Sequence, residues 1–98
     1  MLHIVNKSPL ASSSLESCLN VASPGQLLLI EDAVYAATAG NAFEPRLRAA
    51  MERFKVFVLQ PDLDARGMGG QLVAGVTAVD YGGFVDLAAT SSTCQSWL

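Results

Sequence analysis

Charge is scarce in this sequence. Of 98 residues, 15% are Asp, Glu, Lys or Arg, against about 25% in an average soluble domain. Apolar residues make up 51%, so the composition excludes a disordered chain, which needs low hydrophobicity and high net charge. Basic residues are the rarer sign, six against nine acidic ones, for a net charge of −3. No basic face is available for a phosphate backbone, which excludes direct nucleic-acid binding. Histidine occurs once, as His3, and no Gly-x-Ser-x-Gly elbow or phosphate-binding Gly-x-x-x-x-Gly-Lys loop is present. A Ser-His-acid hydrolase and a nucleotide-dependent enzyme both fail on that count. Cys18 and Cys94 are the two cysteines, with no Cys-x-x-Cys pair or Cys/His cluster to hold zinc. No stretch approaches the about 20 apolar residues of a membrane-spanning helix. Met1 to Lys7 lacks the charged start and long apolar run of a signal peptide, so reduced thiols and a cytoplasmic location are expected.

What is present reads as one domain, residues 1–98, of alternating strands and helices. His3-Ile4-Val5, led by Leu2, is a short strand that stops at Asn6-Lys7-Ser8-Pro9. Ser13-Ser14-Leu15-Glu16 fits a capping box, and Leu15, Cys18, Leu19 and Ala22 follow on one helical face. Leu27 to Ile30 is a continuous apolar run bounded by turn signals, as in a strand buried on both faces. Glu31-Asp32 caps a short helix to Thr38, and Pro45 suits the first turn of another, running to Glu52. Lys55 to Leu59 is a third strand, Pro61 to Arg66 a helical turn, Gly67 to Gly70 a plain loop and Val76 to Val79 a fourth strand. Asp80 is a good N-cap for a last helix, Tyr81 to Thr90, and Thr93 to Leu98 is a short fifth strand. Such alternation predicts an α/β fold: a three-layer α/β/α sandwich around a mainly parallel sheet of four to five strands. A chain this small and this apolar leaves apolar surface outside, so it is expected to be a component of an oligomer.

Ligands of parallel sheets sit beyond the carboxyl ends of the strands. Those ends carry Lys7, Glu31, Asp32, Asp62 and Asp80, and each carboxylate is better explained as a helix cap than as a metal ligand. His3 reads as a structural strand residue. The thiols remain. A thiolate attacks without help from a metal or histidine and can carry a second sulfur as a persulfide. Cys18, fifth in its helix, lies beyond the reach of the helix macrodipole, with Lys7 the nearest cation in sequence. It is either a small core residue or a reactive thiol. Cys94 reads as structural or incidental.

Met1 to Pro9, Leu28 to Ala37, Asp62 to Gly67, Val79 to Leu87 and the closing Trp97 together resemble the DsrH/TusB family, in order and along the whole chain. The resemblance implies a small α/β subunit of a sulfurtransferase that relays persulfide sulfur, without a cofactor, between carrier proteins. It implies a dimer of heterotrimers with DsrE/TusD-type and DsrF/TusC-type subunits, and a DsrC/TusE-type sulfur carrier as partner. Dsr-type subunits carry a cysteine in the first helix, as Leu15 to Leu19 does here, and Tus-type ones generally lack it. Cys18 is therefore the candidate persulfide carrier and favours the branch devoted to dissimilatory sulfur oxidation. The alternatives are a TusB-type subunit serving 2-thiouridine formation at the tRNA wobble position, or a non-catalytic docking subunit of either complex.

Overall fold

The computed structural model describes residues 1–9, 12–67 and 71–97. Five strands, β1 (Leu2–Val5), β2 (Gly25–Leu29), β3 (Phe54–Leu59), β4 (Thr77–Val79) and β5 (Cys94–Trp97), form one sheet in the order β4-β3-β2-β1-β5. Every pairing is parallel. Helices α1 (Ser14–Val21), α2 (Glu44–Ala50), α3 (Gln60–Ala65) and α4 (Tyr81–Thr90) connect them, with a 3₁₀ helix over Glu31–Ala37.

Handedness decides which face each helix covers. The first three crossovers step the same way across the sheet, and right-handed connections put their helices on one side. The last crossover returns from β4 to the opposite edge, so α4 lies on the other side. The two cores follow this division. The larger holds Leu15, Cys18, Leu19, Ala33, Val34, Leu47 and Leu63 from the helices over Val5, Leu27, Leu29, Val56 and Val58. Among the described residues the smaller holds Leu2, Leu28 and Phe57 as its buried members, with Ile4, Ile30, Val79, Phe84, Leu87 and Ala88 packed around them. The sandwich is thus α/β/α with very unequal layers.

Local signals explain most boundaries. Leu15, Cys18 and Leu19 are buried as the 3.6-residue period requires. The Ser13 capping box does not close: Ser13 makes no side-chain cap bond and its ψ of 6° is not that of a capping residue. Glu16 instead pairs with Arg46 at 3.0 Å, and the Ser14 amide donates to the Ser12 hydroxyl. Asp80 does cap α4, accepting from the Gly83 amide at 2.8 Å. The C-terminal end of α1 is closed from outside, where Arg53 donates to the carbonyls of Leu19 and Ala22, a role suited to a cation at a helix C-terminus. Gly25 opens β2 because a Cβ there would lie 2.6 Å from the Met1 carbonyl oxygen.

Candidate functional site

Cys18 sits in the middle of α1 with no exposed surface, among the Leu15, Leu19 and Ala22 side chains of the larger core. Burial pushes its thiol up to about 11, because a thiolate there would lose its solvent. Lys7 is exposed, so the covered sulfur and the nearest sequence cation do not share one solvent-facing site. Cys94 is a free, exposed thiol at the start of β5, beside Leu2 of β1.

His3 has 1% of its surface exposed, and both ring nitrogens are engaged. Nδ1 accepts from the Trp97 indole N–H at 3.3 Å, so Nε2 carries the proton and donates to the Ser23 carbonyl at 3.1 Å. Its edge meets the Phe54 ring, 5.8 Å between centroids. His3 thereby ties β1 to β5 and to the turn that ends α1, which agrees with a structural residue.

The carboxyl-end rim is a connected lattice, and its acids do different work from the expected capping. The Asp62 carboxylate accepts from the Glu31 amide at 2.6 Å. Arg66 bonds the Asp32 carboxylate at 3.0 Å and the Asp62 carbonyl at 3.2 Å. The Asn6 amide nitrogen donates to Glu31 at 3.4 Å, while its buried Oδ1 has no partner among the described residues. Of the four rim acids only Asp80 caps its own helix. The other three join the ends of β1 and β2 to α3, and this cross-linking holds Glu31 at a φ of +49°, a left-handed backbone unusual for a non-glycine residue. No local pattern signals this lattice, since its contacts span some thirty residues of separation.

Among the described residues, no group of three or more His, Cys, Asp or Glu side chains is placed to hold a metal ion. An open recess of about 650 Å³ lies at the opposite, amino end of β2 and β3, beside Pro24, Arg53 and Lys55. Its most convergent donor, Arg53, is already spent on the α1 carbonyls. Gly67 turns with a φ of +69°; Met68, Gly69 and Gly70 of the expected loop, and Leu98 of the expected last strand, lie outside the described residues.

Residues 7–94 match the family described as DsrH like protein. The chain belongs to the DsrH-like family. This DsrH-like chain is 40% identical over 98 residues to "Protein TusB" of Enterobacter sp. (strain 638). It is 38% identical, over the same length, to "Protein TusB" of Shigella flexneri. Each comparison covers 99% of this chain and 100% of the relative. In three dimensions it is similar to the ychN protein of E. coli, with a TM-score of 0.82, 19% identity and 97% of both chains covered. A protein of unknown function from Methanobacterium thermoautotrophicum, MTH1491, superposes with a TM-score of 0.69 at 16% identity, over 97% of this chain and 95% of its own. These likenesses bear out the parallel α/β fold. Among the described residues, no helix of the DsrH-like chain is long and apolar enough to cross a membrane.

Proposed function

We propose that this chain is a TusB-type subunit of the sulfur relay leading to 2-thiouridine at the tRNA wobble position, and that it supplies assembly and docking surface rather than a sulfur-carrying thiol. The observation that carries the second half is the covered sulfur of Cys18, its thiol pushed up to about 11. Sulfur moves when an acceptor thiolate attacks the outer sulfur of a donor persulfide; the new S–S bond forms as the old one breaks, and the donor leaves as a thiolate. Both the attacking and leaving roles require an accessible, deprotonated sulfur, and Cys18 offers neither property. Full-length similarity to proteins named TusB at 38–40% identity favours the tRNA branch over sulfur oxidation. DsrE/TusD-type and DsrF/TusC-type subunits are the partners this reading takes from the family resemblance, with a DsrC/TusE-type carrier visiting the complex.

The test is a Cys18→Ala variant in the assembled complex, supplied with persulfidated carrier. Normal sulfur transfer is expected, with no gain of one sulfur mass on the Cys18 peptide of the unmodified protein. Lost transfer with assembly intact would return Cys18 to the relay. The sulfur-oxidation branch keeps one feature in its favour, the first-helix cysteine itself. Deleting the gene separates the branches: the tRNA reading requires loss of wobble thiolation, whereas sulfur oxidation requires loss of growth on reduced sulfur with thiolation unchanged.

A further inference from the structure

Strand β5 is held in place by little. It stands at an edge of the sheet and pairs on one side, with β1. Cys94, Gln95 and Ser96 are exposed, and Trp97 is half-buried against the larger core. Among the described residues, the side-chain hydrogen bond that fastens this strand runs from the Trp97 indole to His3 Nδ1. The ring it reaches is sealed in the sheet at 1% exposure, and the other ring nitrogen donates to the Ser23 carbonyl.

Hydrogen-bonding capacity makes this pair sensitive to protons. A neutral imidazole offers one donor and one acceptor, an imidazolium two donors, and an indole a donor alone. Neutral His3 has both its capacities spent. A proton added at Nδ1 would set N–H against N–H across 3.3 Å, and turning the ring over leaves the same conflict. The surroundings offer the added charge no partner. Leu27 of β2 and Gln95 of β5 stand beside His3 in register, and the Phe54 ring of β3 meets its edge. Arg53 lies 5.3 Å over that same Phe54 ring and binds the Leu19 and Ala22 carbonyls, so the charged side chain on this side is itself a cation. The Met1 α-ammonium, beside Gly25, is another. Cys18 of the same core is a neutral thiol. Among the described residues no carboxylate bonds the ring.

We propose that His3 and Trp97 form a proton-operated switch on β5: when His3 takes a proton, the indole loses its acceptor and β5 leaves β1. The strand yields rather than the turn at Ser23, because that carbonyl accepts equally from imidazole and imidazolium, whereas β5 has three exposed residues and one pairing partner. Departure of Trp97 also opens the ring to water, where the new charge is solvated. An imidazole in water gains its proton between about pH 8 and pH 5. The detached form accepts that proton and the closed form refuses it. Detachment therefore grows as pH falls, by up to about tenfold per pH unit for one coupled proton. The pairings of β1, β2, β3 and β4 with one another do not involve Trp97 and stay closed. The inference is independent of the relay reading, because it uses the donors and acceptors of two side chains.

Amide hydrogen exchange on the full chain, corrected for the intrinsic effect of pH, tests the switch between about pH 8 and pH 5. The Leu2 amide donates to the Thr93 carbonyl at 2.9 Å and reports whether β5 is attached. The Gln26 amide donates to the Met1 carbonyl at 3.0 Å and reports the pairing of β1 with β2. Across the window, protection of Leu2 is expected to fall about tenfold or more and the emission of Trp97 to shift to the red, with Gln26 protection unchanged. His3→Gln keeps a donor and an acceptor but does not titrate, and is expected to abolish the response. Trp97→Phe keeps a ring but removes the indole donor, and is expected to do the same. Leu2 protection that ignores pH overturns the proposal. So does a loss that Gln26 shares equally, which is unfolding of the whole sheet, or a response that survives in either variant.

Discussion

At the residue scale, the two cysteines are opposites that the sequence presents alike. A thiol reagent at neutral pH is expected to titrate Cys94 at once and Cys18 only after denaturant is added, as a fast phase of one thiol and a second released by unfolding. The pH dependence follows from the same burial. In the folded chain the Cys18 thiol ionises near 11, and unfolded near 9. Above pH 9 the unfolded state has released a proton that the folded state retains, so stability is full below pH 9 and declines as pH rises towards 11. Chemical denaturation across that window is expected to show a falling midpoint, and a Cys18→Ala variant should lack this part of the fall. His3 makes a second prediction. Replacing it with alanine leaves the Trp97 indole and the Ser23 carbonyl without partners and opens a cavity, a loss of about 3 kcal/mol. Denaturation followed by the fluorescence of Trp97, the single tryptophan, reads that loss and the altered indole environment together.

At the element scale, what was legible in the sequence is what local chemistry decides. Leu15, Cys18 and Leu19 announced the buried stripe of α1 by spacing alone. Asp80 announced α4 to the residue, because the capping bond to Gly83 joins positions three apart. Asp80→Ala is accordingly expected to cost about 1 kcal/mol, measurable by thermal unfolding. The failures share a different cause. Ser13-x-x-Glu16 has the right letters for a capping box, but Glu16 is drawn to Arg46, thirty residues away. Glu31, Asp32 and Asp62 have the right positions for caps, but Asp62 and Arg66 use them to bind α3 across to the end of β2. In both cases a distant partner, invisible to any local pattern, outcompetes the nearby amide. Gly25 is legible only in retrospect. Its lack of a side chain is required by the Met1 carbonyl, so Gly25→Ala is expected to push β1 and β2 apart at their start and lower the melting temperature by several degrees.

At the scale of the whole molecule, the low charge and abundant apolar residues raised the expectation of an oligomer, and the fold gives that excess a location. The larger core is closed by three helices and a 3₁₀ segment, whereas among the described residues the smaller is covered by α4 alone, with Tyr81 and Val85 of that helix exposed. The class of fold was readable from the alternation of strands and helices. The imbalance between its two layers was not, because it depends on the direction in which each crossover steps, and strand order is a property of the assembled sheet. The candidate site was readable only as a choice of thiol: spacing placed Cys18 on the apolar face of α1, while its complete burial depends on α1 packing against elements far along the chain.

The strand order also sets a schedule for folding. β1, made before the other four strands, is flanked by β2 and by β5, and its outer neighbour consists of Cys94 to Trp97. A nascent chain can pair β1 with β2 early, yet the other edge of β1 stays bare until Cys94 to Trp97 have been made and can dock. His3 waits equally long for Trp97. Until then the chain presents an open parallel edge, a template for wrong pairing. Strand β5 thus acts as a latch on β1, and a chain lacking Cys94 to Trp97 would keep the sequence of every other element yet leave the sheet unfinished.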